Sequence, residues 1–257
     1  MFGHLFTTFL TQPIYNGFIY LVGVMPQGDV GLAIIAVTLL IRIIFYPAFT
    51  SSIRTQMGMQ AVQGELDAIN KKYKDDKDER AKQTMQLFRD NNVKPLSGFL
   101  ALLVQIPVFI ALYFAFFKQG LPAVATNLLY PFVHAPAYVS TTFLGFVDLL
   151  LPHNIALAVL VGVSQYLVTY YSLGRVAGGA KTPLAPEKAA AQKMQQRMML
   201  YVLPALMATI TYSLVAAVGL YFLATNAFSL LQEWIIRRQP RAKAGQPVVM
   251  PGQMQKK

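Results

Sequence analysis

The sequence predicts an all-α membrane protein with five transmembrane helices, N-terminus outside and C-terminus inside. An outer interfacial helix precedes the first span and a cytoplasmic helical hairpin follows it. Three observations carry this reading. The 257 residues are 55% hydrophobic and 13% charged, with a mean hydropathy of +0.44, which departs from soluble globular usage toward a polytopic membrane protein. Apolar runs near 20 residues recur, long enough at about 1.5 Å per residue to cross a hydrocarbon layer roughly 30 Å thick. Setting Arg42 aside, 20 of the 21 Lys and Arg fall in three segments, 51–95, 173–197 and 237–257, separated by stretches almost free of cations. The positive-inside bias makes those three segments cytoplasmic.

Residues 1–29 read as an outer interfacial amphipathic helix. Phe6, Leu10, Ile14, Phe18 and Leu21 recur at helical spacing, while Thr7, Thr8, Thr11, Gln12 and Asn16 dilute the run and Pro13 interrupts it. A sixth span is the alternative here. No cationic segment precedes the run and no small-residue cleavage site precedes Val30, so a cleaved signal peptide is not expected.

The first span is 30–50. The cytoplasmic hairpin, 51–95, has helix-forming arms from Ser51 to Lys72 and from Asp78 to Asn92, separated by the polar run KDDKD. Ile53, Met57, Ala61, Leu66, Ile69 and Tyr73 give one arm an apolar stripe; Ala81, Met85 and Phe88 give the other a narrower one. Either the arms only pack on each other, or they also dock incoming polypeptide with exposed Met57, Met59 and Met85 as adaptable contacts.

The second span is 96–117. The outer loop, 118–154, is Pro-bearing and expected to be a partly helical surface element. The third span, 155–173, is followed by a Gly-, Ala-, Lys- and Pro-rich cytoplasmic connector, 174–197. No charge occurs between Arg197 and Glu233, and one helix of that length would measure roughly 50 Å, so a hairpin separates a fourth span, 198–212, from a fifth, 215–236. The basic tail, 237–257, lacks periodicity and is expected to be disordered. Topology setting and anionic lipid contact explain its charge, as does ribosomal RNA contact through Arg237, Arg238, Arg241 and Lys243.

Arg42 is the anomaly. A charge at the centre of an apolar span costs roughly 2.5 to 3.5 kcal/mol on insertion scales, so it should face protein or a hydrated cavity. Thr38, Arg42 and Tyr46 are four residues apart and share a face. Gln105 and Gln165 fall at a similar depth, and Asn226, Gln232 and Tyr212 extend the polar set as candidate groove residues. Two bland explanations stand beside this one: Arg42 reaches carbonyls or inner phosphates, and each amide joins an interhelical hydrogen bond. Asp29 and Asp148 lie at the outer edge and Glu233 at the inner one, so the spans supply no central counter-charge.

No cysteine is present, which excludes disulfides and thiolate metal sites. His4, His134 and His153 show no ligand spacing. Neither a GxxxxGK[ST] loop nor a nucleophile, base and acid grouping occurs, so no cofactor and no enzymatic chemistry are expected.

The segments GLAIIAVTLLIRIIFYP (31–47), KKYKDD (71–76), KPLSGFLALLVQIPVFIALY (94–113), FLGFVDL (143–149) and GLYFLATNAFSLLQ (219–232), in that order, resemble the YidC/Oxa/Albino insertases. The sequence departs from the family pattern at Lys94, where Asn is frequent, at Val215 to Ala217, where Pro and Gly are usual, and at Phe222, where Trp is common. The resemblance implies an insertase and chaperone for nascent membrane proteins in the bacterial plasma (inner) membrane. It also implies a hydrophilic groove open to cytoplasm and lipid but closed outside, with Arg42 as its cation and Gln105 as a second groove residue. Lacking the large extracytoplasmic domain and lipoprotein cysteine of other members, the chain is expected to be a minimal bacterial core. Nascent clients and the bilayer are its expected partners, and the ribosome and the Sec translocon are candidates. A small anion transporter or channel using Arg42, and a non-inserting membrane scaffold, are the rival functions.

Overall fold

The computed structural model describes residues 8–9, 12–97, 105–106, 109–110, 121–173 and 186–238. Most of the expected second span, the connector at 174–185 and the tail beyond 238, with Arg241 and Lys243, lie outside the described residues. The described chain is predominantly helical, as the composition and periodicity lead one to expect.

Helix α1, Gln12–Val24, places Pro13 in its first turn, where the missing N–H costs nothing, so Pro13 starts this helix instead of interrupting one. Its apolar face, Tyr15, Phe18, Ile19 and Val22, is buried against α2, Val30–Ile44. Asp29 caps α2: its carboxylate accepts from the Leu32 N–H at 3.0 Å and, through the other oxygen, from the Leu144 N–H at 2.9 Å. Gly28 precedes this cap at φ +62°, and a Cβ there would stand 2.2 Å from the Tyr138 carbonyl oxygen.

The single helix expected over 30–50 does not form. α2 ends at Ile44, and α3, Tyr46–Ala61, leaves at a 72° bend. Pro47 is the cause: its ring clashes with the carbonyl four residues back and its nitrogen cannot donate. Val62 then separates α3 from α4, Gln63–Lys72, which pairs with α5, Lys77–Asp90. Asp76 caps α5 by accepting from the Glu79 N–H at 2.9 Å. At the far end Asn92 takes φ +53°, and Val93 and Asn92 donate to the Phe88 and Arg89 carbonyls, a Schellman stop with Asn in the left-handed position. Val93 folds onto Gly58, and Thr55, Ser97 and the Lys94 backbone form a buried hydroxyl knot beneath the hairpin.

The segment 121–153 is less helical than expected. It holds one 3-10 turn, Thr126–Leu128, and a two-stranded hairpin, β1 Thr142–Phe143 with β2 Val147–Asp148. Strands of two residues have no period to read. Together with α1 this segment forms a cap over one end of the bundle. Asn16 donates to the Leu128 carbonyl and accepts from the Tyr130 N–H, and the Tyr15 hydroxyl accepts from the Ala125 N–H.

α6, Ile155–Leu173, is long and apolar enough to cross a membrane, and the bent pair α2–α3 passes the same measure taken together. Within the segment whose composition predicts a connector, α7, Pro186–Arg197, is helical and runs through a π turn, Met198–Val202, into α8, Leu203–Ser213. Its run of Glu, Lys, Ala, Gln and Met favours helix whatever the flanking Gly and Pro suggest. α9, Ala216–Arg238, follows a turn at Leu214. Gly162 meets the Ala208 Cβ and Gly219 meets the Thr211 methyl, small residues that let α6, α8 and α9 approach closely.

Candidate functional site

Arg42 lies in the last turn of α2, about 18 Å along the axis from the capped end. The inner part of α2 is open: Leu39, Leu40, Ile43 and Ile44 are exposed, whereas Val30, Ala33, Ile34 and Val37 are buried. Arg42 itself is partly buried. Among the described residues it makes no hydrogen bond and no ion pair; its guanidinium lies over the Phe49 ring, 4.3 Å from the centroid. On a straight helix Phe49 would be two turns away, so the bend at Phe45 creates this contact. Tyr221 of α9 lies within electrostatic reach of the guanidinium.

The remaining candidates divide. Thr38 is buried and turns its hydroxyl back to the Ile34 carbonyl at 2.7 Å, presenting nothing to an open surface. Tyr46 does not share the Thr38 and Arg42 face, because it begins α3 beyond the bend. Gln232, read from sequence as a groove residue, is buried and donates to the Tyr46 carbonyl at 3.3 Å and the Thr50 hydroxyl at 2.9 Å, clasping the bend to α9. Asn226 donates to the Ser164 hydroxyl at 3.0 Å, tying α9 to α6. Gln165 is spoken for within α6, where Thr169 bonds its carbonyl and its amide faces the Thr169 hydroxyl. Gln105 is partly buried and bonds no described residue. Tyr212 is at the capped end, edge-on to His153 at 4.9 Å, far from the Arg42 level. Of the three hairpin methionines Met85 is exposed, whereas Met57 and Met59 are partly buried.

Phe49 and Ser164 were not singled out by sequence reasoning. Pro47 was the signal that could have found Phe49, since a bend there folds the next turn back toward Arg42. Nothing in the sequence marks Ser164, whose role depends on the rotation of α6 against α9.

The pattern is a cation in apolar surroundings, with amide ties nearby and no anion paired to it among the described residues. Comparison with known proteins places it: the family described as 60Kd inner membrane protein matches residues 22–243. The chain belongs to that family. The 60Kd inner membrane proteins are bacterial inner-membrane proteins, and so is this one. It is 32% identical over 215 residues to the membrane protein insertase YidC of Francisella philomiragia, and 33% identical over the same length to that of Francisella tularensis subsp. novicida; each match covers 84% of this chain and 34% of the relative. The chain thus spans about a third of the length of the curated relatives it matches. The resemblance read from motif order is therefore to the right family.

Proposed function

We propose that this protein inserts newly made membrane proteins into the bilayer, through a hydrophilic intramembrane groove whose cation is Arg42. In this reading the segments 30–50, 96–117, 155–173, 198–212 and 215–236 are the five spans. The capped end faces outside, and the α4–α5 hairpin and the C-terminus face the cytoplasm. The observation that carries the proposal is Arg42: a partly buried guanidinium, without ion pair or hydrogen bond among the described residues, beside an exposed apolar stretch of its own helix. A cation held this way attracts a negative group that it does not already possess.

A client segment slides in from the cytoplasmic end, and its polar outer portion is hydrated and drawn toward Arg42. Lowering the cost of moving polar groups through a low-dielectric layer lowers the barrier, and lateral exit lets the client's apolar side chains partition into lipid. Burial of those side chains drives the process, and no covalent bond changes.

Reconstitution tests this. Purified protein in liposomes is expected to promote insertion of a short client with an acidic outer tail, and Arg42→Ala to impair that client more than a neutral-tailed one. Equal loss on both would remove the electrostatic role; anion flux without insertion would favour a channel. Contact of the basic tail with ribosomes is a secondary proposal, checked by co-sedimentation of full-length and tail-truncated protein.

A further inference from the structure

The segment 121–147 carries no Lys, Arg, Asp or Glu, and its hairpin tip exposes apolar side chains. Phe146 is 85% exposed and Leu144 52%. The tip is not loose. Leu144 is tied by its N–H to the Asp29 carboxylate, and the Phe143 ring packs over Gly31, where a Cβ would come within 2.2 Å of it. These two anchors hold the tip beside the first turn of α2. Left-handed conformations at Leu144 (φ +49°) and Gly145 (φ +79°) make the turn that leaves Leu144 and Phe146 outside while Phe143 faces in.

The tip also lies at a shared level. Val30 begins α2, Ile155 begins α6 and Ala216 begins α9. Backbone hydrogen bonds tie the starts of α2 and α9 to the segments flanking the hairpin: the Val30 N–H donates to the Ser140 carbonyl, and the Ala216 and Ala217 N–H groups donate to the Leu151 and Leu149 carbonyls. Leu151 and Ile155 are themselves exposed and continue into the exposed apolar side of α6, Val159, Leu160 and Val163. In an inner-membrane protein that side of α6 faces lipid. An apolar rim, with half-buried Asp148 at its base, runs on into a lipid-facing surface at the level where spans begin and suits the headgroup boundary, where Phe and Leu side chains leave water.

We propose that the β1–β2 tip, with Leu144 and Phe146 as its contacts, is a lipid anchor seated in the outer-leaflet interface, joined by Leu151 and Ile155. The inference rests on the spanning orientation proposed above. Its consequence is mechanical: the cap is held at a fixed depth by lipid as well as by Asp29, which keeps the outer end of α2 stationary while clients move past its inner end.

The chain has one tryptophan, Trp234, so Trp234→Phe gives a dark background into which Phe146→Trp places a reporter on an already exposed side chain. In liposomes containing dibrominated phospholipids, emission from position 146 is expected to be blue-shifted and at least halved in intensity, with weak quenching by aqueous acrylamide. Strong acrylamide quenching without lipid quenching would overturn the proposal in favour of a solvated tip. Protection that grows with the protein-to-lipid ratio, without lipid quenching, would overturn it in favour of a second copy of the chain. A parallel Leu160→Trp reporter separates the two readings. Quenching by brominated lipid at 160 but not at 146 sinks only the anchor, whereas its absence at both sinks the spanning reading as well.

Discussion

Polar groups in the capped half of the molecule close on backbone, while the chief polar group of the other half closes on a ring. Asn16, Asp29 and Tyr15 each bond a main-chain group from a segment more than 100 residues away, and the side chains between them are buried. Thirteen residues after Asp29, past the buried stretch of α2, Arg42 rests on the Phe49 face with Tyr221 in electrostatic reach. Among the described residues the capped half leaves one buried side-chain group unsatisfied, the Thr211 hydroxyl. The other retains an unmet electrostatic demand in apolar surroundings, which is destabilising unless a ligand or water meets it. The comparison therefore predicts opposite mutational behaviour along one helix: stability loss at the cap, functional loss without stability loss near the bend.

The largest stability effect is expected at Gly28. Gly28→Ala combines a left-handed backbone with a Cβ 2.2 Å from the Tyr138 carbonyl oxygen, and should cost roughly 3 kcal/mol, read as a fall of several degrees in the thermal midpoint of the detergent-solubilised protein. An unchanged midpoint would show that the cap yields easily and would remove the contrast between the halves. Next comes Asp29. Asp29→Ala removes a helix cap and the tie to Leu144 together, about 2 kcal/mol, while Asp29→Asn keeps an acceptor oxygen and should lose about half of that. Equal loss in both variants would mean that charge at the helix start, not capping geometry, is what matters.

The amide ties near the bend should matter less. Asn226→Ala breaks the bond to Ser164, and a double-mutant cycle with Ser164→Ala is expected to return a coupling near 0.6 kcal/mol, the usual size for an interhelical bond in membranes. A coupling above about 2 kcal/mol would make this tie as critical as the cap.

These partners also mark where the sequence stops being readable. Helices were legible because apolar runs and the alternation of cations survive any rotation of one helix against another. The turn near Leu214 was legible for the same reason, since an uncharged stretch too long for one helix has to fold back. Thr38, Gln232 and Asn226 were correctly noticed as polar residues in apolar helices, but whether each faces a groove, its own backbone or a neighbour depends on interhelical rotation, which no spacing encodes. The bend was written in Pro47, yet the apolar run continues through it to Phe49 and the hydropathy signal overrode the proline. The β1–β2 hairpin was invisible because four paired residues carry no period, and α7 was read as connector because flanking Gly and Pro outweighed a helix-forming core.

Arg42 gives the smallest stability effect and the sharpest test. Arg42→Met keeps an apolar stem of similar reach over Phe49 while removing the charge. What is lost in the resting protein is one cation–π contact, about 1 kcal/mol. What is gained is relief from holding a guanidinium in apolar surroundings, a cost of similar or larger size. The thermal midpoint should stay within about a degree of wild type or rise, while insertion of acidic-tailed clients falls. A drop comparable to that of Asp29→Ala would show that Arg42 is satisfied in the resting protein by water or lipid phosphate and acts as a structural residue. The two halves of α2 would then differ in degree only, and the counter-charge would no longer have to arrive with a client.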